Sequence, residues 1–360
     1  MGALSINPDR IRGAWEGRIS GCQLGKPVEL LSILGGRDAL VDYLKGANAF
    51  PLRDYVPLIE NSPVDSVITR RSCKEMLERS EPDDDINYSV LALMLLEEHG
   101  AALTTADVAR AWLRLIPGGV TFTAERAAYR ILLERVADGF EFGGDPGFDL
   151  LDCADNEWSD WIGAQIRADL YGWVCPGRPE LAADLARRDA TLSHMGEGVH
   201  GAMFIAALGA AIPSTTSLQE AVDLASRVVP NDSGAAESIS LGRSLVGRPD
   251  AIEQLHAKYE GLHPVHVLNN LAVVVWALLS FEQDYSAAIG EAVTAGWDTD
   301  CNGATVGGLW GLQGRSIPSH WTEPWQGRVA VTIAGVGELK LDDLVDRTVA
   351  VMEKIVRDEG

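Results

Sequence analysis

Gly296-Trp297-Asp298-Thr299-Asp300-Cys301-Asn302-Gly303 sets two carboxylates one residue apart in a loop that leads into a small-residue helix. The glycines at 303, 307, 308 and 311 each weaken a helix by roughly 1 kcal/mol relative to alanine. Those at 303, 307 and 311 share a face at a spacing of four, so this face is expected to press closely on a neighbouring helix. Close packing would hold the preceding loop rigid, as a metal site requires. Far earlier in the chain, Pro82-Asp83-Asp84-Asp85 forms a second acidic knot, also just before an apolar helix. A helix start accounts for one Asp, through its free N–H groups and its dipole. Three in a row repel one another unless a cation is near. Two such loops meeting in space would offer hard oxygen ligands suited to Mg, Ca or Mn rather than Zn.

Outward from these loops the pattern is helical. Ile86, Val90, Leu93 and Met94 share one face at spacings of three and four, as do Val267, Leu271, Val274 and Leu278. Met203 to Ala211 is small and apolar all round, which predicts a central helix. Further helices are predicted at Thr105–Leu115, Ala124–Ala137, Leu181–Asp189, Leu218–Val228, Pro249–Tyr259 and Asp342–Arg357. Strand-like alternation is scarce. The Gly143-Gly144-Asp145-Pro146-Gly147 break reads as a surface loop rather than a linker. With no internal repeat and no low-complexity tail, the expected fold is all-α: a single domain over residues 1–360, built as one multi-helix bundle.

The bulk numbers narrow the partners. Of 360 residues, 46% are hydrophobic, enough for a large core, and the formal net charge is −22. So acidic a surface repels phosphate backbones and anionic lipid, which argues against nucleic acid and membranes as partners. The five cysteines form no CxxC pair, so neither a disulfide framework nor a zinc knuckle is indicated, and a reducing, cytoplasmic setting is expected. The start, Met1-Gly2-Ala3-Leu4-Ser5-Ile6, lacks a basic-then-apolar signal, and Ile6 stands where an acylation site wants Ser or Thr. The run from Val265 to Phe281 is too short and too polar to span a bilayer. His263 and His266 read as helix-start histidines, since no further zinc ligand is near in sequence.

The chain resembles the ADP-ribosylglycohydrolase family, which includes the dinitrogenase reductase-activating glycohydrolases, along nearly its whole length. Gly21-Cys22-Gln23-Leu24-Gly25-Lys26-Pro27-Val28-Glu29 is similar to the family's N-terminal Gly-Asp-x-Leu-Gly-x-Pro-x-Glu pattern. Asp83-Asp84-Asp85-Ile86 stands in place of its Thr-Asp-Asp-Thr motif. Gly163-Ala164-Gln165-Ile166-Arg167 looks like its Asn-Gly-x-x-Met-Arg loop, and Ser193-His194 falls where it has Thr-His or Ser-His. Gly296 to Thr305 resembles its Gly-Asp-Thr-Asp-Thr-Asn-Ala-Ala signature, the most specific of the five.

The resemblance implies a hydrolase cleaving the ribosyl bond of an ADP-ribosyl conjugate, either a small molecule or a modified protein. It implies two Mg ions (or Mn) held by Asp83, Asp84, Asp85, Asp298 and Asp300. Asp85 or Asp300 would orient or deprotonate water, with Glu29 a further candidate base. Gly163, Ala164 and Arg167 would cradle a diphosphate, and His194 would contact substrate; Trp297, read from its own place just before Asp298 and not from the family, is expected to stack on a base or ribose face. The alternatives are another ribosyl or nucleoside conjugate on the same metals, or a non-catalytic binding or structural homologue. Departures are informative. Asp83 and Cys301 stand at usual Thr positions, Trp297 where Gly is commoner, Cys22 for the Asp after Gly21, and Lys26 adds a cation beside this loop. A thiol is a poor ligand for Mg, so Cys301 is expected to pack rather than coordinate.

Overall fold

The computed structural model describes residues 7–358. The Met1–Ile6 reading therefore lies outside the described residues. Among these, fifteen α-helices follow in order: α1 (Pro8–Gly25), α2 (Glu29–Gly46), α3 (Asp84–His99), α4 (Thr105–Leu115), α5 (Thr123–Arg135), α6 (Asp169–Trp173), α7 (Pro179–Ala190), α8 (Gly196–Ala211), α9 (Leu218–Ala225), α10 (Gly234–Ser244), α11 (Ala251–Lys258), α12 (Val267–Ser280), α13 (Tyr285–Thr294), α14 (Thr299–Gly311) and α15 (Leu341–Asp358). The one sheet described is a short antiparallel pair, β1 (Arg328–Ala330) with β2 (Glu338–Lys340), in the register Val329 to Leu339. The all-α class read from the periodicity holds.

Helices with a clear apolar stripe end within a few residues of their predicted bounds, and α4 coincides with them. The predicted Leu218–Val228 helix tightens into a 3₁₀ turn at Ser226–Val228. Helix α1 was not predicted. It starts by a simple device, Asn7 accepting the Asp9 N–H at 3.0 Å ahead of Pro8. It then carries Gly13, Gly17, Gly21 and Gly25, which depress helix propensity.

Those glycines explain the opening stretch. Every residue of α14 is buried, and the helix is enclosed by α1, α12 and α13. Its Gly303–Gly307–Gly311 face meets the Gly13–Gly17–Gly21 face of α1, the two helices running antiparallel. A Cβ on Gly17 would stand 2.0 Å from the Gly307 carbonyl oxygen, and one on Gly307 would stand 2.1 Å from that of Gly17. Neither backbone can yield without moving its whole helix. Gly17→Ala is accordingly expected to cost about 3 kcal/mol, the upper part of the overpacking range. Urea unfolding measures it, and a loss below about 0.5 kcal/mol would mean that the seam tolerates a methyl group.

The seam positions the site. It lays the C-terminus of α1 beside the N-terminus of α14, where Thr299 Oγ1 donates to the Gly25 carbonyl at 2.9 Å. The five cysteines are all free and buried. No described helix is long and apolar enough to cross a membrane.

Candidate functional site

The N-termini of α2, α3 and α14 converge on one cavity of about 460 Å³. Its floor carries Glu29, Asp83, Asp84, Asp298 and Asp300, and its rim carries Leu30, Phe122 and Val265. The two acidic loops meet here. Ligand atoms lie within 4.8 Å of one another in three sets: Asp83, Asp84 and Asp85; Glu29, Asp298 and Asp300; and Asp85, Asp300 and Cys301.

Local structure aims these groups. Asp83 caps α3, its Oδ1 accepting the Asp85 N–H at 2.9 Å. Gly296 and Trp297 both adopt positive φ, +87° and +61°, forming a sharp turn that delivers Asp298 to the head of α14. This conformation is costly for a bulky side chain. It is held by Ser32 Oγ donating to the Trp297 carbonyl at 2.9 Å and by stacking of the indole on His256 with centroids 4.2 Å apart. Asn270 Oδ1 accepts from Asp298 N at 3.3 Å and from Asn302 Nδ2 at 2.7 Å, tying the loop to α12.

The electrostatics call for a cation. Burial, reinforced by neighbouring carboxylates, pushes Asp84, Asp85, Asp298 and Glu29 well above the usual carboxyl range, and Asp300 up to about 6. Burial also opposes ionisation of Asp83, but the paired Lys26 ammonium outweighs it and holds this carboxyl below its ordinary value. Asp85 Oδ2, Asp298 Oδ1 and Asp300 Oδ1 are buried with no hydrogen-bond partner. Buried acceptors are normally satisfied, so three orphaned carboxylate oxygens in one cluster fit a hard divalent ion.

Arg18, which the sequence reading passed over, supports the cluster from behind. Fully buried in α1, it donates to Asp85 Oδ1 at 3.0 Å, the Asp85 carbonyl at 2.9 Å, Asp169 Oδ2 at 2.9 Å, Ser89 Oγ at 2.7 Å and the Ile166 carbonyl. Its signal in sequence was slight: an Arg between Gly17 and Ile19 of an unrecognised helix.

Several sequence-predicted contacts lie elsewhere. Gly163 lines the cavity, but Ala164 is buried away from it. Arg167 points inward and is committed: it bonds Asp189 Oδ1 at 2.8 Å, Glu125 Oε1 at 2.7 Å, Ser193 Oγ at 2.9 Å and the Gly163 and Asp189 carbonyls. Its guanidinium is only 1% exposed, so the expectation that it meets a diphosphate is corrected. His194 is likewise enclosed, its Nδ1 2.8 Å from Ser193 Oγ, and does not reach the cavity. Trp297 packs on His256 and Tyr259, away from the cavity lining. Asp85 sits beneath the floor rather than on it, fully buried on Arg18. Sequence reasoning missed Glu125, a buried carboxylate that lines the cavity and packs so tightly on Gly163 that a Cβ there would lie 2.2 Å from its Oε1.

No curated protein matches the chain. Among solved structures, one described as an ADP-ribosylglycohydrolase-related protein complex superposes with a TM-score of 0.59 at 18% identity, covering 97% of this chain and 98% of the other, which speaks to the fold. The ADP-ribosylglycohydrolase family profile matches residues 4–355. The chain belongs to the ADP-ribosylglycohydrolase family.

Proposed function

We propose that the protein is a metal-dependent glycohydrolase acting on the ribosyl bond of an ADP-ribosyl conjugate. The observation that carries this reading is the pair of buried, unpartnered oxygens Asp298 Oδ1 and Asp300 Oδ1 on the floor of a cavity large enough for a sugar, with Asp85 Oδ2 unpartnered beneath it. Asp84, Asp85, Asp298 and Asp300 would hold Mg or Mn. Bound there, the metal would orient a ribose diol and lower the pKa of water.

The remaining chemistry falls to Glu29. It is half-buried on the cavity floor, and burial disfavours its charged form. A protonated carboxyl can deliver its proton to the departing atom as the glycosidic bond breaks. The resulting carboxylate can then take a proton from the water that bonds to the anomeric carbon. Asp85 is not suited to this exchange, being bound to Arg18 below the floor. The apolar rim at Leu30, Phe122 and Val265 helps exclude bulk water around a bound substrate.

A second reading keeps the bond and the metal but drops the diphosphate, so that the substrate is a nucleoside-type conjugate. Among the described residues, Lys26 is the one cationic side chain on the cavity lining, and it is paired with Asp83. Arg167 is committed to Asp189 and Glu125, and the Glu125 carboxylate fills the space against Gly163.

One experiment tests both. With Mg, the protein is incubated with ADP-ribosyl-arginine, ADP-ribosyl-serine, O-acetyl-ADP-ribose and nucleosides, and products are read by mass spectrometry. Release of ADP-ribose that stops with EDTA is the expected result. Turnover of nucleosides alone selects the second reading, and turnover of nothing, with no metal-induced rise in melting temperature, sinks both. At a metal concentration a hundredfold above Kd, that rise should correspond to about 2.7 kcal/mol.

A further inference from the structure

Lys26 is placed by the backbone, not by chance. The α1–α14 seam closes at Gly25, where a Cβ would stand 2.2 Å from the Thr299 carbonyl oxygen. The next residue is thereby fixed beside the head of α14, and its side chain runs into the acidic cluster, 16% exposed, to pair with Asp83 Oδ2. Asp83 Oδ1 is occupied as well, by the Asp85 N–H. Both oxygens of Asp83 are therefore spoken for, and its charge is already met within the chain.

The rest of the cluster contrasts with this. The unpartnered oxygens belong to Asp85, beneath the floor, and to Asp298 and Asp300 on it. Cys301, which reaches the Asp85–Asp300 set, offers sulfur that hard cations do not favour. A fixed ammonium repels any divalent ion brought against Asp83, and this repulsion is weakly screened in a buried site. Asp83 is thus neutralised by the protein itself, while Asp298 and Asp300 keep buried oxygens without a partner.

We infer that the Lys26 ammonium takes the place of one divalent cation, so that the cluster holds a single metal ion, on the Asp298–Asp300 side. This rests on the metal-dependent reading above and proposes one ion where the family resemblance implied two. Asp83 then serves as the anchor of Lys26 and the cap of α3, not as a metal ligand.

The test is the Mn(II) count of the full chain. Protein stripped with EDTA is dialysed against Mn(II), bound metal is measured by mass spectrometry, and electron paramagnetic resonance reports whether bound ions are isolated or coupled. The expected result is one isolated Mn per wild-type chain and two coupled Mn per Lys26→Met chain. Lys26→Arg, which keeps the charge, should stay at one. Lys26→Gln, which keeps a donor to Asp83, replaces the methionine variant if that chain does not fold. Two Mn on the wild type overturns this inference and leaves the metal-dependent reading standing. A count that stays at one in Lys26→Met or Lys26→Gln overturns it equally. No bound Mn on any chain removes the metal site and this inference with it.

Discussion

Asp298→Asn with Asp300→Asn is expected to abolish turnover, by about a thousandfold or more, equivalent to about 4 kcal/mol of lost transition-state stabilisation. The same double variant should fold, and without metal it should melt above the wild type. The reason is the state of these carboxyls. Both are buried, each has an oxygen without a hydrogen-bond partner, and burial pushes both above the usual range. Amides of the same shape carry no charge to desolvate and do not repel one another. The variant should gain nothing when Mg or Mn is added, because the ligand oxygens facing the cavity have been replaced. Two measurements separate catalysis from folding: steady-state turnover on the best substrate, and melting temperature with and without metal. Normal turnover would exclude the proposed mechanism. A variant that melts well below the wild type in EDTA would show instead that these carboxylates hold the fold together through contacts of their own.

Arg18→Met is expected to be the most damaging single change to stability, at about 3–5 kcal/mol, the usual cost of breaking a buried ion pair by removing one partner. Arg18 faces Asp85 and Asp169, all three fully buried, and it joins α1 to α3, α6 and the 3₁₀ turn at Ile162–Arg167. The pH dependence follows from Asp169. Burial raises its carboxyl to about 6 even against the pull of Arg18. Its folded value thus lies above the unfolded value near 3.8. Its contribution is therefore fully present below pH 4 and is lost as pH rises through about 6. Without Arg18 the carboxyl would titrate higher still, so the deficit of the variant should be larger at pH 8 than at pH 5. Urea unfolding at both values checks this. A deficit independent of pH would mean that methionine costs stability through shape and not through charge.

Much of this was legible along the chain because it rests on local chemistry. A 3.6-residue apolar stripe marks α3, α4 and α12, and the cap and dipole preferences of helix starts place Asp83–Asp85 and Asp298–Asp300 at the heads of α3 and α14. The glycine row at 303, 307 and 311 announced a close neighbour. Helix α1 escaped notice because it carries the matching row at 13, 17 and 21, and such a helix has little propensity and no simple polar face. Its packing against α14 compensates for both. Asn7-Pro8 and the mirrored spacing were the signals to use.

The outer reading failed where contacts depend on direction. Arg167 and His194 stand next to the cavity in sequence terms, yet their side chains turn inward to Glu125, Asp189 and Ser193. Residue type and spacing cannot say which way a side chain faces when both sides of its element are packed.

What the sequence determined by itself was the all-α class and the two acidic helix heads whose carboxylates could hold a metal, since these follow from periodicity, capping and ligand chemistry within a few residues. Only the tertiary structure decided the rest: that α1 is the partner of α14, that Arg18 underlies the cluster, and that Lys26 lies within it. Those facts depend on contacts between segments hundreds of positions apart, such as Gly17 with Gly307. Long-range contacts of this kind are set by the packing of whole faces, and no single stretch of chain carries that information.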